Sequence, residues 1–303
     1  MAMVIQPTKY VVASEAGVER TDMSAQSWLN SSPRGAYTTM RTVKKTRVYL
    51  LSFHLQRLTT SARFLIPASE NDACEKHNST VINESTLRPN FIKVVQAGLN
   101  AYQESESYED EEAKVTVLVH WELKTFKVMA HVGPLRKPPS APVIVKVVSA
   151  LRNNAQIKDS SWVQDRQLLE SEMTGDIEET VMCDAAHGQL LEGLSSNFFV
   201  YINNEIQTAG EQVLQGSVRA AALRAAATLH IPTCLTPPML QESNHWQGAF
   251  LTSTSRLLLP VNKIIGLAAL GFSDVEFELI QPDIDHLKLA VKEDIVRNSE
   301  PIL

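Results

Sequence analysis

The sequence predicts an α+β fold, most simply divided into two domains. Its 303 residues are enough for two domains or one large one, and 44% of them are hydrophobic, which allows a substantial core. Strand patterns occur on both sides of the proline-rich segment GPLRKPPSAP. We therefore expect a small α+β domain over residues 1–133, an interdomain linker over 134–142 and a larger, β-rich domain over 143–303.

Alternating and periodic segments predict the elements of the small domain. A short strand is expected over residues 9–12, and Ser52 is expected to cap a helix over 53–65. The polar residues 67–86 are interpreted as a loop before a helix over 91–103. The acidic residues 104–112 are interpreted as a solvated loop and not as a metal site. Two strand pairs are predicted, residues 36–43 with 47–51 across Lys44-Lys45, and residues 115–120 with 126–131.

The larger domain is predicted to be richer in strands. Asp159 or Ser160 is expected to cap a helix over 160–172, and residues 283–297 are expected to form a closing helix. His187-Gly188 and Asn203-Asn204 have the composition of turns, the second one inside a hairpin. The predicted strands are residues 143–148, 180–183, 198–202, 205–208, 248–254 and 257–261.

Composition and charge argue against several classes of function. The formal net charge is −6 and no dense run of lysine and arginine occurs, so no nucleic-acid partner is expected. No apolar run approaches membrane length, so no membrane partner is expected. Cys74, Cys183 and Cys234 lie far apart and fit neither a disulfide framework nor a metal site. These features favour a reducing compartment, with the cytoplasm as the expected location and an organelle as the alternative.

Residues 190–219 concentrate the side chains that suggest chemistry. Glu192 stands among apolar and small residues, and Leu194-Ser195-Ser196-Asn197 is a cluster of short hydroxyl and amide side chains. Gly216 and Ser217 precede a strong helix former, and the backbone N–H groups at a helix start bind phosphate well. Taken singly, such features are most often a solvated carboxylate and an ordinary helix cap. Together they suit a phosphorylated heterocycle with a protonatable nitrogen.

The order of these segments resembles that in the pyridoxal-phosphate enzymes of fold type IV, the class IV aminotransferase family. This family includes branched-chain and D-amino-acid aminotransferases and aminodeoxychorismate lyases. The likeness extends from about Gly35 to Val261 and rests on four motifs in the same order. They are GAYTTMR with LLSFHLQRLTTSA, then LLEGLSSNFFVY, VLQGSVR and FLTSTSRLLLPV. The resemblance implies a small α/β N-terminal domain, a larger β-barrel-like C-terminal domain with flanking helices, and pyridoxal 5′-phosphate as the cofactor.

The resemblance also implies roles for individual residues. Lys158 matches the lysine that forms the internal aldimine, and Lys146 is the weaker alternative. Glu192 matches the carboxylate that binds the pyridine nitrogen, and Arg57 matches the arginine that binds the phosphate. A deprotonated lysine attacks an aldehyde, and the released amine can then move a proton between Cα and C4′. The other implied cofactor contacts are Ser196 and Asn197 beside the ring, the backbone amides of Ser217 and Val218 at the phosphate, and Ser253 and Thr254 on its other side.

Two departures from the family pattern concern the surroundings of the cofactor. Many members carry a tyrosine shortly after the lysine, where this chain has Trp162 and Val163. The phosphate loop usually reads Ile-Thr before its arginine, and Val218 replaces that threonine. We expect cofactor binding to survive both changes, whereas the choice of substrate does not follow from the resemblance.

An aminotransferase acting on an amino acid and a 2-oxo acid is the first of three functions that remain open. Tyr37 resembles the tyrosine that binds the substrate carboxylate in D-amino-acid aminotransferases. Arg41 is predicted on the same face of that strand, and Thr39 lies between them. A second arginine would complete this pattern, but it has no match on the predicted strand over residues 115–120. His120 or Trp121 stands near the expected place.

A lyase and a non-catalytic binding protein are the alternatives. Thr38-Thr39 followed by Arg41 is closer to aminodeoxychorismate lyases, which share the aldimine and then expel pyruvate. A binding protein on this fold would have no need for both Lys158 and Glu192, so their retention argues against it. The family further implies a homodimer.

Overall fold

The computed structural model describes residues 9–66, 82–105, 112–122, 125–140 and 142–303. The strands are β1 (Tyr10–Ser14), β2 (Gly17–Thr21), β3 (Ala36–Val43), β4 (Arg47–Tyr49), β5 (Ala113–Glu122), β6 (Thr125–Pro134), β7 (Ile144–Ser149), β8 (Ile177–Asp184), β9 (Gln189–Gly193), β10 (Asn197–Ile202), β11 (Glu205–Gln207), β12 (Thr233–Cys234), β13 (Gly248–Ser253), β14 (Leu257–Val261), β15 (Lys263–Ile265), β16 (Val275–Glu276) and β17 (Ser299–Pro301). The α-helices are α1 (Ala25–Ser31), α2 (Leu51–Phe64), α3 (Glu84–Gln103), α4 (Ser161–Asp165), α5 (Gln167–Ser171), α6 (Ser217–Thr228) and α7 (Pro282–Arg297). Leu240–His245 and Leu267–Leu270 are 3₁₀ helices.

The chain forms two compact units. The first contains the described residues up to Leu135 together with Ile157–Asp165 and Asn298–Leu303. The second contains Arg136–Gln156 and Arg166–Arg297. Two segments that follow the predicted linker in sequence therefore return to the first unit, and one of them carries Lys158.

The first unit is built on an antiparallel seven-stranded sheet in the order β17-β4-β3-β5-β6-β1-β2. One face packs on α2 and α3 through a core that includes Leu55, Phe91 and Val117. The opposite face carries a smaller apolar cluster that includes Tyr37 and Val163. Successive side chains of a strand point to opposite faces, so consecutive residues of β3 alternate between the helix-covered face and the opposite face.

The second unit is built on a ten-stranded sheet with mixed strand directions. Its main path is β12-β11-β10-β9-β8-β7-β15-β16, and β10 also pairs with β13, which pairs with β14. The pairs β7·β8, β7·β15 and β11·β12 are parallel, and the remaining ones are antiparallel. Helices α6 and α7 pack on each other. This mixture of helices and two sheets confirms the predicted fold class.

Several local predictions are confirmed by the structure. The Asn203-Asn204 turn joins β10 to β11, and both asparagines have positive φ angles, 51° and 59°, as a tight hairpin turn requires. Gly216 is the N-cap of α6, which begins at Ser217. The predicted loops at 67–86 and 104–112 are described only in part, because residues 67–81 and 106–111 lie outside the described residues.

Three predicted helix boundaries are wrong. Ser52 lies inside α2, because Leu50 adopts a left-handed conformation with φ 48° and turns the chain directly from β4 into the helix. Helix α3 begins at Glu84 instead of near residue 91, because Asn83 and Thr86 form a capping box ahead of Pro89. The single helix predicted over 160–172 is divided into α4 and α5.

Across the described ranges, no helix is both long enough and apolar enough to cross a membrane.

Candidate active site

Lys158 lies in a segment that runs along the edge of β3 in the first unit. Ala36 and Asp159 form an isolated antiparallel bridge there. The backbone N–H of Lys158 donates to Ser61 Oγ on α2 at 3.1 Å, and its carbonyl accepts from the Tyr37 N–H at 2.9 Å. The backbone is thus fixed on both sides. The Nζ atom lies 4.7 Å from the centroid of the Tyr37 ring.

Gly35 holds the Lys158 segment through its backbone and lies directly against β5. Its N–H donates to Ser160 Oγ at 3.0 Å, and its carbonyl accepts from the Ser160 N–H at 2.9 Å. A Cβ atom at position 35 would lie 2.2 Å from the carbonyl oxygen of Val119 on β5. Glycine is therefore required where β3, β5 and the lysine segment meet.

Arg57 takes part in a polar network on the other face of β3. Its Nη2 donates to Thr38 Oγ1 at 2.8 Å and lies 3.3 Å from His54 Nδ1. The Thr38 Oγ1 and His54 Nδ1 atoms are 2.8 Å apart. An arginine has only donors, so His54 Nδ1 must accept, and the proton of the neutral ring belongs on Nε2. His54 was not among the sequence-predicted residues, although its position three residues before Arg57 puts both on one helix face.

Burial governs the protonation of both helix residues. It holds the pKa of His54 well below its ordinary value, and the nearby cations Arg57 and Lys158 lower that pKa further. Burial also lowers the pKa of Arg57 to about 10, so its guanidinium stays charged at neutral pH. A bound anion would offset the cost of keeping that charge out of water, and the donors of Arg57 therefore fit a phosphate.

The three predicted substrate residues on β3 are not all close to Lys158. The Tyr37 ring lies beside the Lys158 Nζ atom. Thr39 and Arg41 are two and four residues further along the strand, and four residues correspond to about 13 Å. The pKa of Arg41 is lowered by burial, and the nearby Glu112 opposes this effect. Arg41 therefore lies near the end of β3 that is remote from Lys158.

Glu192 is buried on β9 in the second unit, with 2% of its surface exposed. Its Oε1 lies 3.3 Å from Arg152 Nη1, and its Oε2 accepts from the Leu214 N–H at 2.9 Å. The side chains of Arg152 and Glu192 are 5% and 3% exposed. Sequence reasoning missed Arg152 because it is forty residues away in the chain. Each carboxylate oxygen can accept a second hydrogen bond, so Glu192 can still bind a protonated ring nitrogen.

The start of α6 provides the donors expected of a phosphate site. Gly216, the N-cap, has no side chain to cap the helix, and Ser217 and Val218 are the first helical residues. Asn197 Nδ2 donates to the Leu214 carbonyl at 2.7 Å. A Cβ atom at Gly216 would lie 2.3 Å from Asn197 Oδ1, so glycine allows Asn197 to pack against the helix start. Backbone N–H groups in the first turn of a helix suit a phosphate dianion.

The remaining predicted cofactor residues lie near a buried arginine. Ser196 Oγ donates to Glu179 Oε2 at 3.0 Å, and Ser253 Oγ accepts from the backbone N–H of Arg256 at 3.2 Å. Thr254 follows directly after β13 and is half-buried. The structure thus groups Lys158, Tyr37 and Arg57 in the first unit. It places Glu192, Ser196, Asn197, Ser217, Val218, Ser253 and Thr254 in the second.

The departure at Trp162 and Val163 has a structural explanation. Both residues are buried on α4. Val163 belongs to the apolar cluster of Tyr37, Trp28 and Leu118. A valine is therefore suited to this position as a core residue, and it offers no hydroxyl to a ligand.

Comparison with known proteins adds an independent finding. The profile of the family described as Amino-transferase class IV matches residues 35–264, which is most of the chain. Among curated proteins, no match was found.

Solved structures of aminotransferases share the fold. A branched-chain aminotransferase from the archaeon Thermoproteus uzoniensis, solved with norvaline, is 16% identical, with 97% of this chain and 99% of that one covered and a TM-score of 0.70. A hypothetical aminotransferase from Mycobacterium tuberculosis in its PLP-bound form is 17% identical, with 95% and 99% covered and a TM-score of 0.70. That protein was also solved with alpha-ketoglutarate and PMP. A fold IV-transaminase from Curtobacterium pusillum is 15% identical, with 93% and 99% covered and a TM-score of 0.68.

Proposed function

Because this chain belongs to the class IV aminotransferase family, we propose that it moves an amino group between a branched-chain or D-amino acid and a 2-oxo acid, with pyridoxal 5′-phosphate held at Lys158. The observation that carries the proposal is the placement of this lysine inside the matched region. Its backbone is fixed between β3 and α2, and its Nζ lies beside the Tyr37 ring. A catalytic amine needs such a rigid attachment, because proton transfer depends on position.

The proposal assigns a role in cofactor binding to the following residues. Arg57, the backbone N–H groups of Ser217 and Val218, and the hydroxyls of Ser253 and Thr254 bind the phosphate. Glu192 accepts a hydrogen bond from the ring nitrogen and favours its protonated form. Bound pyridoxal phosphate would supply an electron sink for the loss of the substrate Cα proton.

Lys158 Nζ is assigned the proton transfer itself. As a neutral amine it would take the proton from the substrate Cα and release it at C4′, the carbon that receives the proton in an amino transfer. Tyr37 is assigned to orient the substrate, since its ring lies beside Nζ and its hydroxyl can donate to a carboxylate. One relative of known structure was solved with alpha-ketoglutarate, which makes 2-oxoglutarate the first acceptor to test. The resemblance also supports a homodimer of this chain, which light scattering would test.

The lyase remains the second candidate, but the contacts of its marker residues do not favour it. The Thr38 hydroxyl is engaged by Arg57 and His54 on the helix-covered face of β3. Arg41 lies near Glu112 at the remote end of that strand. One assay separates the candidates, because an aminotransferase passes nitrogen to 2-oxoglutarate whereas the lyase releases pyruvate from aminodeoxychorismate.

Covalent attachment of the cofactor tests the assignment of Lys158. Borohydride treatment of the protein with pyridoxal phosphate should fix a pyridoxyl group on Lys158, as found by peptide mapping. Lys158→Ala should lose the adduct and the amino transfer, whereas the control Lys146→Ala should retain both. Lys146 is a suitable control because its Nζ forms a surface ion pair with Glu172 at 3.0 Å. An adduct on Lys146 in the wild-type protein would refute the proposed site.

A further inference from the structure

A second cluster of buried charges lies in the second unit, around Arg256 just after β13. The side chains of Arg256, Glu178 and Glu179 are 7%, 8% and 1% exposed. Arg256 Nη2 donates to Glu179 Oε2 at 2.6 Å, and Nη1 lies 3.2 Å from Glu178 Oε1. A buried charge of this kind is costly unless it is paired and hydrogen-bonded, so the three side chains of the cluster depend on one another.

Arg256 also contacts the two turns next to this cluster. On one side, its backbone N–H and its Nε both donate to Ser253 Oγ at 3.2 Å. On the other side, its Nη2 donates to Ser195 Oγ at 2.8 Å. Ser195 and Ser196 donate in turn to Glu179 Oε2, at 2.7 and 3.0 Å. One guanidinium therefore connects the end of β13 with the turn between β9 and β10.

Glu179 and Arg256 stay charged at neutral pH. Burial alone would raise the pKa of Glu179, but Arg256 and the two serine hydroxyls hold it below its ordinary value. The pKa of Arg256 is raised by its two glutamate partners in spite of burial. Both serine hydroxyl protons consequently point at a carboxylate that is charged at neutral pH.

This arrangement changes what Ser196 can offer to a ligand. A hydroxyl has one proton, and that of Ser196 is donated to Glu179, so towards a ligand Ser196 Oγ can only accept. Gly193 preserves the geometry, because a Cβ atom there would lie 2.4 Å from Ser196 Oγ and 2.9 Å from Glu179 Cγ. Ser195 and Ser196 thus hold the turn in place and leave phosphate binding to other groups.

We propose that Arg256 is a positioning residue that fixes the phosphate-binding segment Ser253-Thr254 against the Ser195-Ser196 turn through Glu179. The proposal rests on the function proposed above, because that function assigns Ser253 and Thr254 to the phosphate. If Arg256 had a purely structural role, its substitution would weaken the binding of every ligand and would also lower the stability of the fold. If Arg256 is a positioning residue, its substitution would weaken specifically the binding of a ligand that carries a phosphate.

The test compares pyridoxal 5′-phosphate with pyridoxal, which lacks the phosphate. Arg256→Lys keeps the positive charge but loses the planar fork that spans Glu179 and the serines. The full-length apoprotein is titrated with each compound, and the two dissociation constants are measured by absorbance. We expect Arg256→Lys to raise the constant for pyridoxal phosphate by about tenfold, the usual effect of losing one charge-assisted hydrogen bond, and to leave that for pyridoxal nearly unchanged.

Arg224→Lys is the matched control. Arg224 makes a similar forked contact with Asp294, at 3.1 and 2.8 Å, but it is 44% exposed on α6. Both constants should equal those of the wild-type protein in this variant. Equal losses for both compounds, or no loss, in Arg256→Lys would overturn the positioning role. A wild-type protein without preference for the phosphorylated compound would instead refute the proposed function, and this inference with it.

Ser195→Ala provides a second variant in case Arg256→Lys does not fold. It removes one small hydroxyl that accepts from Arg256 and donates to Glu179. The preference for pyridoxal phosphate over pyridoxal should fall in the same direction, by a smaller factor. An unchanged preference in Ser195→Ala would contradict the proposal.

Discussion

Buried charged side chains differ in their hydrogen-bond partners between the two units. In the first unit, Arg57 is held by the neutral Thr38 hydroxyl and a neutral His54 ring. In the second unit, Glu192 and Glu179 are each paired with a buried arginine. The two carboxylates of the second unit are thus stabilised by opposite charges, whereas burial lowers the pKa of the Arg57 guanidinium in the first unit.

This difference predicts that residues of the two units contribute differently to ligand binding. Removing one member of a buried ion pair typically costs about 3–5 kcal/mol, so the paired carboxylates are already fixed in the absence of a ligand. Arg57 gains more from an anion, because a new charge partner offsets its desolvation. We therefore expect variants of the second unit to change reactivity most, and variants of the first unit to change anion affinity and pH dependence.

Glu192→Gln should have the largest effect. The substitution keeps the shape and a hydrogen-bonding group but removes the charge that favours a protonated ring nitrogen. The cofactor should remain bound, because Lys158 and the phosphate contacts are unchanged. Exchange of the substrate Cα proton with solvent deuterium should slow by about a hundredfold or more, the scale of losing one electrostatic catalytic group.

Proton exchange and thermal stability have to be measured together in this variant, because Glu192 is also the partner of Arg152. Loss of the charge should lower the melting temperature of the apoprotein. The exposed Glu211→Gln, in the same unit, is the control for both measurements. An unchanged exchange rate in Glu192→Gln would remove this carboxylate from the active site, whatever happens to stability.

Arg57→Ala should have the next largest effect, on cofactor affinity. Loss of a charge-assisted contact typically costs about 1.5–3 kcal/mol, which corresponds to about a ten- to 150-fold weaker binding of pyridoxal phosphate. Arg63→Ala on the same helix is the control, because Arg63 Nε donates to the Ile82 carbonyl at 2.6 Å and so serves the fold. Equal cofactor affinities in the two variants would mean that the phosphate is bound elsewhere.

His54 should produce the smallest effect, a change in the pH dependence of stability. Its folded-state pKa lies below the ordinary value near 6.5, so below that pH the unfolded chain takes up a proton that the folded protein does not. The stability that His54 contributes is therefore complete above about pH 6.5 and is lost as the pH falls. In His54→Asn, the decrease in the free energy of unfolding between pH 7 and pH 5.5 should be smaller by about 1 kcal/mol.

Urea unfolding at the two pH values measures this difference. Asparagine is chosen because its Oδ1 can accept in place of Nδ1, which preserves the contact with Thr38 and Arg57. His120 and His131 also have pKa values lowered by burial, but they are present in both proteins and cancel in the comparison. The exposed His286→Asn controls for the loss of a histidine. A pH dependence identical to that of the wild-type protein would show that His54 titrates alike in the folded and unfolded states.

Features determined by neighbouring residues were predictable from the sequence. The Asn203-Asn204 hairpin and the start of α6 at Ser217 depend on local backbone preferences, and both were predicted correctly. The start of α3 was predicted wrongly, because Pro89 suggested an interruption of the helix. The capping box at Asn83 and Thr86 outweighed that signal.

The partners of the predicted site residues could not be read from the sequence. Arg152 reaches Glu192 across 40 residues, and Arg256 reaches Glu179 across 77. Neither contact leaves a periodic or spacing signal, because it depends on which strands are neighbours in the sheet. The motif residues themselves were identifiable because each lies in a short, ordered string of residues. The charges that surround them became visible only with the fold.

One edge of the first unit's sheet is completed by β17, which lies far along the chain from its partner β4. Strand β17 pairs with β4, and Arg47 donates to the carbonyl of Ser299, 252 residues further along the chain. During translation β4 therefore remains an open edge until residues 299–301 emerge, and open edges pair readily with foreign strands. The nascent chain therefore has to be shielded at this edge until β17 is made. An expression fragment that ends at Leu135 would keep that edge permanently and should aggregate more readily than the full chain.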